Sequence, residues 1–376
     1  MYIFRADGNA RIGAGHIMRC MTIADALTRL EGGREEIVFF CGGEQAARMA
    51  SSGGFRVKRL EAREQWTEAE LTEWERILRS EEEERQRSRG AFDDSGLESD
   101  AASPGKKNVI LADSYLVTDL YLEKLGKYGA VALLDDFGRH RFPVDCIINY
   151  NAPAQRTVYR DLYKGCRTRL AVGREYIPVR AQFVERKYRI RREVKNVLIT
   201  TGGGDIDNIA RRIFERIDRK NREYYVVVGR FSSHLAEMKE LERERRNLHV
   251  LYDVTAMGEL MEKCDVAVTA GGTTVYELAA VGVPLICFSY AENQESLAEY
   301  IGTMGVAGYA GAYHREPEET LNRLEELFDG LNGSNEMRRN FYEAERRLAD
   351  GRGAERLARV LWEFKRGIEW KDGEDA

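Results

Sequence analysis

At 376 residues the chain is too long for one ordinary hydrophobic core and suits two domains of roughly 150 residues each. Its net charge of −5, from 58 Lys+Arg against 63 Asp+Glu with no basic stripe, argues against a nucleic-acid partner. No apolar run reaches the roughly 18 residues of a membrane span, and the N-terminus enters a strand without a signal peptide's charged start and apolar core, so a cytoplasmic location is expected. The six cysteines (Cys20, Cys41, Cys146, Cys166, Cys264, Cys287) are scattered with no Cys-x-x-Cys pair, which argues against zinc and disulfides alike.

The chain opens on a short apolar strand, Met1 to Phe4, continues through Arg5-Ala6-Asp7 into a glycine-broken turn, and then enters a helix carrying Ile17, Met18, Met21, Ile23, Ala24 and Leu27. In an open α/β sheet, ligands sit beyond the carboxyl ends of the strands, and the first such loop helps to line the site. Gly13 and Gly15 permit a tight turn and close backbone approach, with helical N–H groups behind them that favour an anion such as a diphosphate. The spacing is Gly-x-Gly-His, not Gly-x-Gly-x-x-Gly, and no acidic residue is clearly placed about 20 residues on, which argues against a nicotinamide cofactor. His16 stands in the first turn of the helix, where the positive end of the dipole suits a neutral imidazole that accepts a proton as general base. It could equally be a polar residue at a helix end.

Apolar runs at Glu36 to Cys41, Phe55 to Leu60, Asn108 to Ala112, Ala130 to Leu134 and Cys146 to Asn149 alternate with helical patterns, which predicts a parallel sheet covered by helices on both faces. The segment Glu61 to Lys107 breaks this rhythm. A possible charged helix around Trp66 to Leu78 leads into Glu81-Glu82-Glu83-Glu84 and a polar stretch ending at Pro104-Gly105. Dense charge and low hydrophobicity predict that most of it is a mobile surface insertion, whose excision leaves fold and activity in place.

The alternation restarts after a basic linker near Arg186 to Lys195, with strands expected at Asn196 to Thr201, Tyr224 to Gly229, Leu248 to Tyr252, Asp265 to Thr269 and Pro284 to Phe288. Helices follow at Glu316 to Phe328, Glu336 to Leu348 and Ala354 to Glu369. The expected division is an N-terminal Rossmann-like domain over 1–180, a second over 181–350, and a C-terminal helix and tail over 351–376 that crosses back to the first domain. Thr200-Thr201-Gly202-Gly203-Gly204-Asp205 ends the first strand of the second domain, where Gly203 and its neighbours allow close approach of a ligand, although a plain turn explains them as well.

Thr269-Ala270-Gly271-Gly272-Thr273-Thr274-Val275-Tyr276-Glu277 reads as strand, paired glycines, two hydroxyls and a helix. Its amides and the Thr273 and Thr274 side chains can hold a diphosphate, and Glu277 one turn on can accept both hydroxyls of a ribose. Thr273 and Glu277 also fit an ordinary cap. After the next strand, Asn293 and Gln294 offer donors and acceptors for sugar hydroxyls or an acetamido group, or a cap for a helix from Glu295.

Together these motifs resemble nucleotide-sugar proteins of the two-domain glycosyltransferase-B architecture. Gly271-Gly272-Thr273-Thr274 with Glu277, Pro284 and Asn293-Gln294 resembles the donor-binding half of the UDP-N-acetylglucosamine transferase of peptidoglycan synthesis. Arg5-Ala6-Asp7, Ile12-Gly13-x-Gly15-His16-x-x-Arg19-Cys20, Asp113-Ser114-Tyr115, Asp135-Asp136, Asn149-Tyr150-Asn151, Gly173-x-x-Tyr176 and Gly202-Gly203-x-Asp205 with Asn208 resemble the UDP-sugar hydrolases of pseudaminic acid biosynthesis. Related proteins of spore-coat polysaccharide synthesis look similar.

This resemblance implies two Rossmann-like domains with a cleft between them, a UDP-sugar substrate and His16 as catalytic base. It implies Arg5, Asp7, Gly13, Gly15, Tyr115, Gly203, Gly271, Gly272, Thr273, Thr274, Glu277, Asn293 and Gln294 as substrate-binding residues. The implied reaction removes UDP from a 2,4-diacetamido-2,4,6-trideoxy sugar by inverting water attack at the anomeric carbon. Because UDP leaves as a stabilised anion, helix-terminal N–H groups can replace an acid, and the reading calls for no metal and no cofactor. The competing readings are a glycosyltransferase with a UDP-amino-sugar donor and a nucleotide-sugar-binding protein without chemistry.

Overall fold

The computed structural model describes residues 1–8, 15–61, 68–90, 108–184, 186–203, 205, 207–229 and 232–368. The chain divides into two units: Met1–Asn149, Arg156–Val172 and the chain from Glu355 onward form one, and Tyr150–Gln155 with Gly173–Ala354 form the other.

The first unit is built on strands β1 (Tyr2–Asp7), β2 (Ile37–Gly42), β3 (Arg56–Leu60), β4 (Asn108–Asp113), β5 (Gly129–Leu134), β6 (Cys146–Asn149) and β7 (Arg169–Val172). They pair in the order β3-β2-β1-β4-β5-β6-β7, and every pairing is parallel. Helices α1 (Gly15–Glu31), α2 (Glu44–Ser52), α3 (Glu68–Gly90), α4 (Asp119–Leu125) and α5 (Arg156–Leu162) connect them. β1 is buried along its whole length, as a central parallel strand covered on both faces must be. The order reverses between β2 and β4 around β1, so the carboxyl ends of β1 and β4 flank the switch point where open α/β sheets place ligands.

The expectation of a mobile insertion over 61–107 is corrected for its helical part; 62–67 and 91–107 lie outside the described residues. α3 carries Leu71, Trp74 and Ile77 at helical spacing, all buried, with Trp74 0% exposed. Trp74 packs on Phe40 of β2 with ring centroids 4.5 Å apart. Two acidic residues on the same stripe are buried with partners. Glu70 accepts from Arg5 Nε at 2.7 Å and from the Tyr121 hydroxyl at 2.6 Å, and Glu81 pairs with Lys58 at 2.7 Å and with Arg56. Overall charge density hid this stripe, and α3 is the crossover that carries the chain from β3 to β4. Excising it would strip Arg5 of its buried partner.

The second unit repeats the scheme after α6 (Ala181–Val184). Strands β8 (Asn196–Thr200), β9 (Glu223–Val228), β10 (Leu248–Tyr252), β11 (Val266–Ala270), β12 (Leu285–Ser289) and β13 (Gly308–Ala312) pair in parallel in the order β10-β9-β8-β11-β12-β13. Its helices are α7 (Ile209–Ile217), α8 (Leu235–Glu244), α9 (Met257–Lys263), α10 (Thr273–Val281), α11 (Glu292–Thr303), α12 (Pro317–Gly333) and α13 (Asn335–Leu348). Ile213, Phe214 and Ile217 of α7 meet Val197 and Ile199 of β8 and Leu324 and Phe328 of α12 in one core. Glu345 of α13 is buried in this unit. Leu285 N donates to its Oε1 at 3.0 Å, Oε2 has no partner among the described residues, and burial pushes the carboxyl well above the ordinary range.

The last helix, α14 (Gly353–Arg366), has its residues from Glu355 onward in the first unit. There Glu363 pairs with Arg169, Lys365 with Glu36 at 3.3 Å and Arg366 with Glu31 at 2.9 Å.

Candidate active site

At the switch point of the first sheet, His16 in the first turn of α1 meets Asp113, the last residue of β4, with Nδ1 2.6 Å from Oδ1. Asp113 is fully buried. Arg19, one turn further along α1, reaches the same carboxylate through Nε at 2.6 Å and continues through Nη1 to Asp136 at 2.9 Å. Burial raises the Asp113 carboxyl, but the Arg19 guanidinium and His16 outweigh it and hold it well below the usual carboxylate range. Asp136 is likewise pulled down by Arg19 against its burial.

An ionised carboxylate can only accept, so Nδ1 carries the hydrogen at this contact, and the neutral tautomer it selects is the one with its lone pair on Nε2. The Tyr115 ring stands edge-on to the imidazole, centroids 4.7 Å apart, and its hydroxyl donates to Asp136 at 2.7 Å. The imidazole is therefore fixed from two sides, by a buried carboxylate and by an aromatic ring.

The other expected residues of this edge divide. Gly15 opens α1 with free space where a Cβ would stand, whereas Gly13 lies outside the described residues. Arg5 is buried in β1, and its guanidinium is held by Glu70 of α3 and by Asp7. Asp7 Oδ1 also accepts from Gly42 N at 3.1 Å, which ties the ends of β1 and β2 together. These two side chains brace the strand that leads toward His16.

In the second unit, β11 ends at Ala270, Gly271-Gly272 follow it, and α10 begins at Thr273. A Cβ on Gly271 would stand 2.9 Å from Gln294 O of α11, so glycine is needed for packing there, while Gly272 faces open space. Gly272 is the N-cap and supplies no side-chain acceptor; Val275 N donates to Gly272 O at 3.1 Å, which leaves the N–H groups of Thr273 and Thr274 to an anion, with Thr273 exposed and Thr274 half-buried. Glu277 does not turn back to cap the helix. Its Oε1 accepts from Arg180 at 2.8 Å, and burial raises its carboxyl while Arg180 opposes the rise.

α11 starts at Glu292, not at Glu295. Gln294 Oε1 accepts from Tyr290 N at 3.1 Å, and Asn293 stands exposed in the first turn. At the end of β8, Gly202 sits at φ +87° and Gly203 is exposed. A Cβ on Gly229 would meet Gly202 O at 2.2 Å, so this loop needs glycine on both sides of a close backbone approach. Asp205 is spent on structure, accepting from Ile209 N at 2.7 Å and Ala210 N at 3.0 Å at the head of α7.

Arg19, Asp113 and Asp136 belong to the histidine cluster and stand in the motifs quoted above, yet nothing local in the sequence gave them a role. The His16–Asp113 contact spans 97 residues of sequence, and only the β1–β4 pairing brings it about. The available signal was acidic residues at the carboxyl ends of adjacent predicted strands.

Comparison with known proteins supports the fold and the character of the second unit. Residues 196–351 match the family model of the glycosyltransferase family 28 C-terminal domain. The spore coat polysaccharide biosynthesis protein SpsG of Bacillus subtilis is 25% identical over 224 residues, 57% of this chain and 65% of that protein. A Helicobacter pylori protein named pseudaminic acid cytidylyltransferase and UDP-2,4-diacetamido-2,4,6-trideoxy-beta-L-altropyranose hydrolase is 26% identical over 208 residues, 54% of this chain and 38% of that protein. The chain thus spans less than two thirds of the length of these curated relatives. The solved structure of MurG from Acinetobacter baumannii superposes with a TM-score of 0.61 at 11% identity, over 96% of this chain and 99% of that one. The chain has the two-domain glycosyltransferase-B fold, and its second unit carries the family 28 C-terminal domain match.

Proposed function

We propose that this protein hydrolyses a UDP-linked 2,4-diacetamido-2,4,6-trideoxy sugar, releasing UDP and free sugar. The observation that carries the reading is the His16–Asp113 pair, which leaves Nε2 as a base at the switch point of the first sheet. Water attacks the anomeric carbon as Nε2 takes its proton, and the bond from that carbon to the diphosphate oxygen breaks with its electron pair leaving on UDP. Asp113 stabilises the imidazolium that forms, and Arg19 keeps Asp113 ionised throughout. Backbone N–H groups at a helix N-terminus, of the kind α10 offers in the second unit, suit a leaving diphosphate. The name of the Helicobacter pylori relative supports the substrate class.

The family 28 match supports a second reading, in which an acceptor hydroxyl takes the place of water. Turnover in ¹⁸O-water tests the proposal: attack at carbon yields UDP free of label, whereas labelled UDP would mean attack at phosphorus. Absence of UDP release without an added acceptor would favour transfer.

A further inference from the structure

Beside His16 the first unit exposes two aromatic rings that its own core does not use. Tyr115 is 49% exposed and Phe137 is 47% exposed, with ring centroids 5.3 Å apart and planes tilted by 47°. Exposed aromatics of this size are costly to leave in water, and a single one would need no explanation; a pair held rigid against a candidate base does.

Both rings are held by carboxylates. Asp136 accepts from the Tyr115 hydroxyl at 2.7 Å. Asp135, buried at the end of β5, accepts from Phe137 N and Gly138 N at 3.0 Å each and from the Tyr159 hydroxyl at 2.7 Å. Gly138 adopts φ +63°, which lets the chain turn immediately after Phe137. The Arg139 guanidinium lies 4.9 Å from the Phe137 ring centroid and braces the ring from its own loop. Adjacent acids with opposite duties therefore set two neighbouring rings in fixed places, one through its hydroxyl and one through its backbone.

We propose that Tyr115 and Phe137 form an aromatic shelf that takes the apolar face of the substrate's pyranose ring, with its methyl-bearing substituents, and so sets specificity for the sugar. This deepens the UDP-sugar reading and rests on it. The Tyr115 ring stands edge-on to the imidazole with centroids 4.7 Å apart, so whatever lies on this shelf lies next to the carbon that water attacks. A pyranose presents axial C–H groups on one face, and acetamido and 6-deoxy methyl groups extend that apolar area. Aromatic rings suit it because they bury apolar surface with little loss of side-chain freedom.

The test compares Phe137→Ala and Phe137→Tyr in the full chain, measuring affinity for UDP alone and for the UDP-2,4-diacetamido sugar by calorimetry, with turnover followed separately. Phe137→Ala is expected to weaken the UDP-sugar about 3- to 10-fold while leaving UDP affinity at the wild-type value, and Phe137→Tyr is expected to restore it. Equal weakening of UDP and UDP-sugar would overturn the proposal and assign the shelf to the base. Unchanged UDP-sugar affinity in Phe137→Ala would overturn it while leaving hydrolysis standing. Wild-type protein that binds the UDP-sugar but releases no UDP would overturn the hydrolase reading, with the shelf still supported by a selective loss in Phe137→Ala.

Discussion

The carboxyl edges of the two sheets are built from opposite materials. At the first, the charged side chains Arg19, Asp113 and Asp136 are in mutual contact around the His16 imidazole. At the second, Gly271, Gly272 and the head of α10 present backbone, with Arg180–Glu277 as an ion pair beside them. Charge in contact with charge fixes protonation states, which proton transfer requires. Bare amides at a helix end receive an anion without titrating. Under the proposed function, the same scaffold, used twice, separates the work of a base from the work of holding a diphosphate.

Removing the base should produce the largest effect. His16→Asn is expected to lower turnover by about 10² to 10⁴ fold while UDP affinity stays near wild type, as stopped assays paired with calorimetry would show. Loss of UDP affinity in that variant would break the division of labour between the two edges.

Asp113→Asn keeps the shape and removes the charge that selects the imidazole tautomer, so kcat should fall on the order of 10² fold or more. Its stability carries a signed pH dependence. The carboxyl is held below its unfolded value, so its contribution is present above the ordinary aspartate range and lost as pH falls. Chemical denaturation should therefore show the variant less stable than wild type at pH 7 and the gap closing as the solution is acidified.

At the second edge the expected change is in binding. Glu277→Ala should weaken UDP by about 1.5 to 3 kcal/mol, read by titration, with kcat at saturating substrate close to wild type. A fall in kcat without a change in affinity would reverse the assignment of roles.

The smallest effect contrasts two buried acids. Asp113 is paired with cations and its carboxyl is held low, whereas Glu345 has one backbone donor and burial pushes its carboxyl up, which favours the protonated form. Because the unfolded chain loses that proton first, wild-type stability declines as pH rises above the ordinary glutamate range. Glu345→Gln, which carries no proton to lose, should gain roughly 1 kcal/mol near neutral pH, and the gain should grow with pH.

Much of this organisation was legible in the sequence. Apolar runs such as Val109 to Ala112 and Val197 to Thr200 became central parallel strands, and the repeated strand-helix alternation gave both sheets. Two edge strands were missed for physical reasons. Arg169-Leu170-Ala171-Val172 is too short to stand out, and Gly308-Tyr309-Ala310-Gly311-Ala312 is mostly glycine and alanine, which have poor strand preference, and is kept in place by its pairing with β12. The helix α3 is expected around Trp66 to Leu78, but its burial is obscured because Glu70 and Glu81 read as solvated charge until Arg5, Tyr121, Arg56 and Lys58 arrive from other elements. At the candidate site, Gly-x-Gly-His was visible as a local pattern, but the carboxylate that gives His16 its tautomer is supplied by strand pairing.

The most direct test of the account is to incubate the wild-type protein with the UDP-2,4-diacetamido-2,4,6-trideoxy sugar in the absence of any acceptor and to quantify UDP and free sugar together. The account predicts equal amounts of both, abolished in His16→Asn. UDP that appears only when an acceptor is supplied, with the sugar recovered on that acceptor, would contradict it.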